Sequence, residues 1–311
     1  MSLIIALSIV FFGLLGLFGN VSFVFAVYRR REIRSKHGYL LAVNCCLHIV
    51  CELFEFFNAA QQFAGVSLLS RNQCFNTITL FLFAISYQAM MYVSFGLDML
   101  HSITRPIPYF KVRNFPYLLV IQLPCLVYAL AIVILGFSLR GADEAITACN
   151  PPLALPPTVL WVWSTCSLVQ CVAVVVLYSS IIVIMLLSSW ESVRHPERGS
   201  LCSKYSASST YQKRVMRTMT VLMVFFVFSW FLSAIAIRLP AMFPAMTTEI
   251  RDTVQTYAVI PASASFAQTF YVYLLMSREY RRAFLGSGLL GQWQRRVSPK
   301  GTSSGEHRLT G

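Results

Sequence analysis

The ionisable residues that interrupt the most apolar stretches are the first candidates for chemistry. His48, Glu52 and Glu55 stand four and three residues apart. On a helix that spacing puts all three on one face. A histidine with two carboxylates is the raw material of a metal site or an acid–base set. Further along, in "FGLDMLHSITRPIPYF" (95–110), Asp98 ends a long apolar run. A carboxylate at such a boundary can hold the following loop, with Arg105 or Tyr109 as partner, or stand solvated at the edge. It is not read as a catalytic acid. The sequence offers no zinc-ligand cluster, no phosphate-cradling glycine loop and no poised nucleophile triad. His37, His101, His195 and His307 read as isolated residues. The reading is a protein that is not an enzyme, with no metal and no cofactor.

The elements that must position these residues are set by hydropathy. The chain has 311 residues, of which 57% are hydrophobic and 12% charged. Soluble domains carry about 25% charged residues. Seven apolar segments emerge, at roughly 4–28, 38–63, 73–100, 116–137, 159–188, 215–238 and 253–276. Each exceeds the ~20 helical residues that cross a hydrocarbon core. Backbone groups in lipid are satisfied only in helices or closed barrels, and barrel strands are about 10 residues long. The expected fold is therefore all-α, a bundle of seven transmembrane helices. The first segment lacks a basic start and is too long for a signal peptide, so it is read as a retained helix.

Charge orients the bundle. "RRREIRSKH" (29–37) holds five Lys/Arg and one acid, and the tail after 276 holds seven Lys/Arg and two Glu. The 101–115 and 189–214 connections are also basic. The alternate connections, 64–72, 138–158 and the loop after 238, are not. The positive-inside rule puts the basic set in the cytoplasm. The amino terminus is then outside and the carboxyl terminus inside, in the plasma membrane. The net charge of +13 is read as this topology signal. It implies contact with anionic membrane lipids or a cytosolic partner, and no nucleic acid. Of nine cysteines, only Cys74 and Cys149 fall on the outer side. They are expected to form a disulfide in an oxidising compartment, against the alternative of two free thiols.

Over about residues 8–286 the chain resembles a rhodopsin-like (class A) G-protein-coupled receptor. "GLFGN" ends in Asn20, as the family's first helix does. Cys74 stands 24 residues before Asp98, matching the cysteine ahead of the Asp-Arg-Tyr motif. Here Met99 replaces the arginine and Leu100 the tyrosine. "FVFSWFL" keeps Phe226 and Trp230 of the sixth-helix motif, with Ser229 for its cysteine and Leu232 for its proline. "TFYVYLLMSREYRRAF" keeps Tyr273 of the seventh-helix motif, with Thr269 and Phe270 for Asn-Pro. Tyr178 matches the fifth-helix tyrosine. The altered signatures, and "NCCLHIVCE" in the second segment, resemble the nematode serpentine chemoreceptors. The seventh segment has no lysine for a retinal Schiff base, unlike the opsins.

The resemblance implies a receptor domain over 1–286, ending in a short cytoplasmic amphipathic eighth helix at Ser277–Phe284, and a disordered tail at 287–311. It implies that a small extracellular molecule is sensed in a pocket lined by Phe81, Ile85, Trp163, Trp230 and Tyr257. Phe81 stands where amine receptors carry an aspartate, so an amine ligand is not expected. His48 aligns with the family's second-helix aspartate. A buried polar network of Asn20, His48, Glu52, Gln88 and Thr269 follows, expected to hold protons rather than sodium because burial favours uncharged groups. Static packing polarity is the alternative. Asp98, Met99, Tyr178, Phe226, Trp230 and Tyr273 are the implied switch residues, and a heterotrimeric G protein is the implied partner at the cytoplasmic face. Gln212 replaces the family's acidic partner on the sixth helix, so both halves of its ionic lock are absent. A ligand-gated channel subunit and a membrane transporter remain the alternatives.

Overall fold

The computed structural model describes residues 3–64, 69–141, 143–146, 149–194, 203–242, 247, 250, 254, 257 and 259–287. The expected tail, apart from its first residue, lies outside the described residues, as do His195 and His307. Among the described residues, seven helices are long and apolar enough to cross a membrane. They are α1 (Leu3–Arg29), α2 (Lys36–Phe63), α3 (Arg71–Thr104), α5 (Asn114–Ser138), α7 (Pro157–Arg194), α8 (Ser203–Met242) and α9 (Val259–Met276). Three short helices join them: α4 (Pro106–Lys111), α6 (Pro151–Ala154) and α10 (Arg278–Ser287). The protein is an all-α, multi-pass membrane bundle.

Burial sorts the spans. The apolar window of α3 is 78% buried, that of α5 only 17%. The central helix is therefore α3, and α5 is a peripheral helix that offers most of its surface to lipid. Among the interior residues of α3 are Phe75, Ile78, Leu82, Met91, Tyr92 and Phe95.

At one end the chain is pinned to α3. Strand β1 (Leu69–Ser70) pairs antiparallel with β2 (Ala145–Ile146), Leu69 opposite Ile146. Ser70 then caps α3. Its hydroxyl accepts from Gln73 N, and the Gln73 side chain accepts from Ser70 N, so two of the orphan donors of the helix start are met. Arg71 N donates to Glu144 O at 2.8 Å and Asn72 N to the Asp143 carboxylate at 3.0 Å. The expected disulfide joins Cys74 to Cys149.

At the other end, helix termini are closed by basic side chains. Arg34 folds back onto the last carbonyls of α1, with Nε 3.1 Å from Val27 O. Arg281 does the same for α9, with Nε 2.7 Å from Leu274 O. Both put positive charge at the negative end of a helix dipole. Helix α10 buries Tyr280, Ala283 and Phe284 and exposes Arg278, Arg281 and Arg282. Phe284 meets Phe23 and Phe270, and Tyr280 stacks on Phe23. Pro106 and Pro108 end α3 at Thr104 and also start α4, where Pro106 takes the first helical position. A missing N–H is harmless there.

Candidate functional site

Asp98 is 2% exposed and sits at the inward face of the last turns of α3. A buried carboxylate needs donors. Its Oδ1 accepts from the Tyr109 hydroxyl at 3.1 Å and the Tyr117 hydroxyl at 2.8 Å. Tyr109 lies on α4 and Tyr117 in the first turn of α5, so one carboxylate ties three consecutive helices together. Arg105, the other expected partner, is exposed. Two cationic candidates come instead from the start of α2. Lys36 Nζ donates to the Tyr109 carbonyl and lies 4.2 Å from the Tyr109 ring centroid and 4.7 Å from that of Tyr117. His37 Nδ1 lies 3.5 Å from Asp98 Oδ2.

Neither His37 nor His101 is isolated, which corrects the sequence reading. The His101 ring stacks on Tyr117 and meets Tyr109 edge-on. His37 Nε2 makes a 2.8 Å hydrogen bond with the Tyr273 hydroxyl of α9. That hydroxyl also lies 2.8 Å from Met219 Sδ on α8. Gly38 permits this start of α2, because a Cβ there would stand 2.1 Å from Ile33 O in the preceding turn. Met99 is buried, with its backbone oxygen and its sulfur both facing the Ser102 hydroxyl. Tyr178 of α7 is buried. The Gln212 side chain lies outside the described residues.

The interior polar residues are only partly joined. Asn20 Nδ2 donates to Glu52 Oε1 at 2.9 Å and to Phe266 O at 3.0 Å. Glu52, and not His48, is thus the second-helix side chain that meets Asn20. His48 Nε2 pairs with Asn44 one turn earlier, at 3.3 Å, and its ring faces Phe266. Gln88 Oε1 accepts from Cys51 Sγ at 3.9 Å. Thr269 is fully buried and its hydroxyl has no hydrogen bond among the described residues. Glu55 accepts from Asn58 at 3.3 Å. Among the described residues, no three His, Cys, Asp or Glu come together to hold a metal, so His48, Glu52 and Glu55 do not form the metal set their spacing allowed.

The residues of the expected pocket make the following contacts. Phe81 stacks on Phe54 of α2, with ring centroids 4.5 Å apart. Trp163 Nε1 donates to Ser86 Oγ at 3.2 Å, joining α7 to α3. Ile85 is buried on α3 beside it in sequence, whereas Tyr257 is 39% exposed. Trp230 stacks on Phe226, and Phe226 stacks on Tyr92 at 3.6 Å between centroids. Ser229, the departure from the sixth-helix motif, donates to Pro261 O at 2.8 Å and fastens α8 to α9.

Sequence reasoning missed Lys36, His37 and Tyr117. Lys36 and His37 were absorbed into a basic stretch counted for topology. The available signal was their place at the very start of an apolar run, ahead of Gly38.

A buried carboxylate at the end of α3, clasped from α2, α4 and α5 in a bundle of seven spans, is the fold of a seven-transmembrane receptor of the G-protein-coupled type. Residues 13–286 match the family described as "Serpentine type 7TM GPCR chemoreceptor Srsx". The chain belongs to that family, and the match takes in nearly the whole bundle. No curated protein sequence matches it.

Proposed function

We propose that the protein senses an extracellular small molecule and signals by a ligand-shifted rearrangement of its helices to a heterotrimeric G protein. In this reading the disulfide end faces outward, the Asp98 end faces the cytoplasm, and residues 1–286 form the receptor domain. The aromatic residues toward the outer ends of α3, α7, α8 and α9 receive the ligand. Phe81 and Ile85 are apolar side chains, which suits an apolar or modestly polar molecule.

One observation carries the reading. An unbroken series of ring contacts runs from Trp230 through Phe226, Tyr92, Phe95 and His37 to Tyr273. It links the expected floor of the pocket to the cluster at Asp98. A ligand that bound one arrangement of Trp230 more tightly than another would shift the population of arrangements at the far end. Tyr178 and Tyr273 are the tyrosines that would change place there. Arg29, Arg30, Arg31, Arg217 and α10 would frame the G-protein surface, with Lys213 and Arg214, whose side chains lie outside the described residues.

The test is a screen of small organic molecules on cells expressing the full chain, with G-protein dissociation and ionic current read in the same cells. Dissociation evoked by a compound supports the reading. Current without dissociation supports the channel alternative and contradicts it.

A further inference from the structure

The replacement of the motif arginine by Met99 leaves a structural question. Asp98 is buried at the end of α3, and His37 stands between it and Tyr273 of α9. We propose that His37 takes that place, as a positioning residue that clasps α3 to α9, and through Tyr273 to α8, and holds the Asp98 end of the bundle closed. The proposal rests on the receptor reading for its signalling consequence, but the clasp itself is a statement about helix positions.

The geometry is specific. His37 stands on α2, between the two groups it touches. Nδ1 faces Asp98 Oδ2 at 3.5 Å, and Nε2 is hydrogen-bonded to Tyr273 at 2.8 Å. The first distance is that of an ion-pair approach and the second that of a full hydrogen bond. Both ring nitrogens are therefore engaged, with groups on two different helices. The ring is also fixed from the side by Phe95, edge-on at 6.0 Å.

The donors and acceptors close into a relay. Tyr273 has one hydroxyl proton. If it is donated to Met219 Sδ, then His37 Nε2 carries the proton that Tyr273 accepts. If Tyr273 instead donates to His37, the Nδ1 proton points at Asp98. In each arrangement the His37–Tyr273 bond persists; Nδ1 offers Asp98 a proton in the second, and in the first only when both ring nitrogens are protonated. Met219 is fully buried on α8. Moving α8 away from α9 at this end removes the sulfur from Tyr273, and moving α9 removes Tyr273 from His37. Opening therefore breaks this relay.

The rest of the cluster leaves His37 free for this task. Asp98 Oδ1 is already filled by Tyr109 and Tyr117. Lys36 is directed to the Tyr109 carbonyl and to the faces of the two tyrosine rings. Lys36 thus anchors α4, and His37 alone reaches α9 from this part of α2 among the described contacts. Tyr273 keeps its packing against Phe23 and Tyr280 whatever happens to its hydroxyl, so Tyr273→Phe spares the ring contacts while it removes the hydroxyl's ties to His37 and to Met219 together.

The test uses two amides that each imitate one ring nitrogen. His37→Gln places an amide nitrogen near the position of Nε2, and His37→Asn places one near Nδ1. Fluorophores are attached through non-natural residues at Lys111 and Arg217, both exposed and outside the cluster. Energy transfer then reports the separation of α4 and α8 in the full chain in lipid nanodiscs. His37→Gln is expected to keep the wild-type distance. His37→Asn is expected to raise the ratio of open to closed molecules about tenfold, the effect of one buried hydrogen bond. Tyr273→Phe is expected to do the same, and the double variant His37→Asn with Tyr273→Phe to open no further than Tyr273→Phe. Intact Cys74–Cys149 disulfide in each variant shows that it has folded. If His37→Asn and His37→Gln open alike, or if neither changes the distance, the clasp is overturned. If the distances follow the prediction while the same variants without fluorophores, Arg217 intact, activate no G protein, the clasp stands and the receptor reading fails.

Discussion

Asn20 of α1 is hydrogen-bonded to Glu52 of α2 across a contact that only a glycine permits. A Cβ on Gly16, one turn before Asn20, would lie 1.8 Å from Glu52 Oε1 and 3.2 Å from the Ala267 backbone. The carboxylate therefore occupies the space that a side chain at residue 16 would take. Gly16→Ala must push Glu52 off Asn20 and leave buried polar groups unpaired. The expected loss is about 1–3 kcal/mol of stability. Glu52→Gln keeps an acceptor for Asn20 and is expected to change stability by less than about 1 kcal/mol. Thermal unfolding in detergent compares the two.

The disulfide closes a loop of 75 residues between Cys74 and Cys149. A chain-entropy estimate for such a loop is about 4 kcal/mol, an upper figure because the β1–β2 pairing and the Arg71–Glu144 ion pair also hold this loop. Cys149→Ser is expected to lower the unfolding temperature and the amount of protein at the cell surface. Cys74→Ser should match it, and the double variant should be no worse than either.

Asp98 accepts two tyrosine hydroxyls, and they are not equivalent. The Tyr117 bond is the shorter, and Tyr117 is the first-turn residue that holds α5 to α3. Tyr117→Phe removes one hydrogen bond to a carboxylate, worth about 1.5–3 kcal/mol. Asp98→Ala is expected to be more damaging than Asp98→Asn, because alanine leaves both tyrosines and the buried Lys36 without their acceptor or counter-charge. Unfolding temperatures of the three variants give the order.

Ser229 replaces a cysteine of the wider receptor motif and spends its hydroxyl on Pro261 O. Ser229→Ala is expected to weaken the α8–α9 contact by about 1 kcal/mol. In the same background as the Lys111 and Arg217 fluorophores, it should move the distance distribution less than His37→Asn does, because Met219 and Tyr273 still tie the two helices at the opposite end.

Much of this was legible in the sequence. Runs of about 20 apolar residues leave little choice of secondary structure in lipid, so the seven spans emerge from hydropathy alone. Their ends were less exact: the helix that carries the sixth span already runs from Ser203, well ahead of the apolar run, although its membrane-crossing part is Val215–Ala236. Polar residues in that flank weaken the hydropathy signal without deciding the backbone. Tyr109 was a visible partner for Asp98 because it is close in sequence. Tyr117, Lys36 and His37 were not, since their meeting depends on how α2 and α5 pack against α3. Asn20 and Glu52 stood together in the expected network, but that His48 turns to Asn44 rather than to them depends on packing that an alignment does not show. The packing partners of the expected pocket residues, such as Phe54 for Phe81 and Ser86 for Trp163, were not legible, because they lie on other helices.

The central claim is that a molecule bound near Trp230 is felt at Asp98 through Phe226, Tyr92 and His37. The most direct measurement takes a compound found in the screen and compares G-protein dissociation in the wild type and in Phe226→Ala at equal surface expression. The account predicts dissociation in the wild type, and a potency or amplitude lowered at least about tenfold in the variant, with binding of the compound retained. Equal responses in the two proteins, or an ionic current without dissociation, would contradict it.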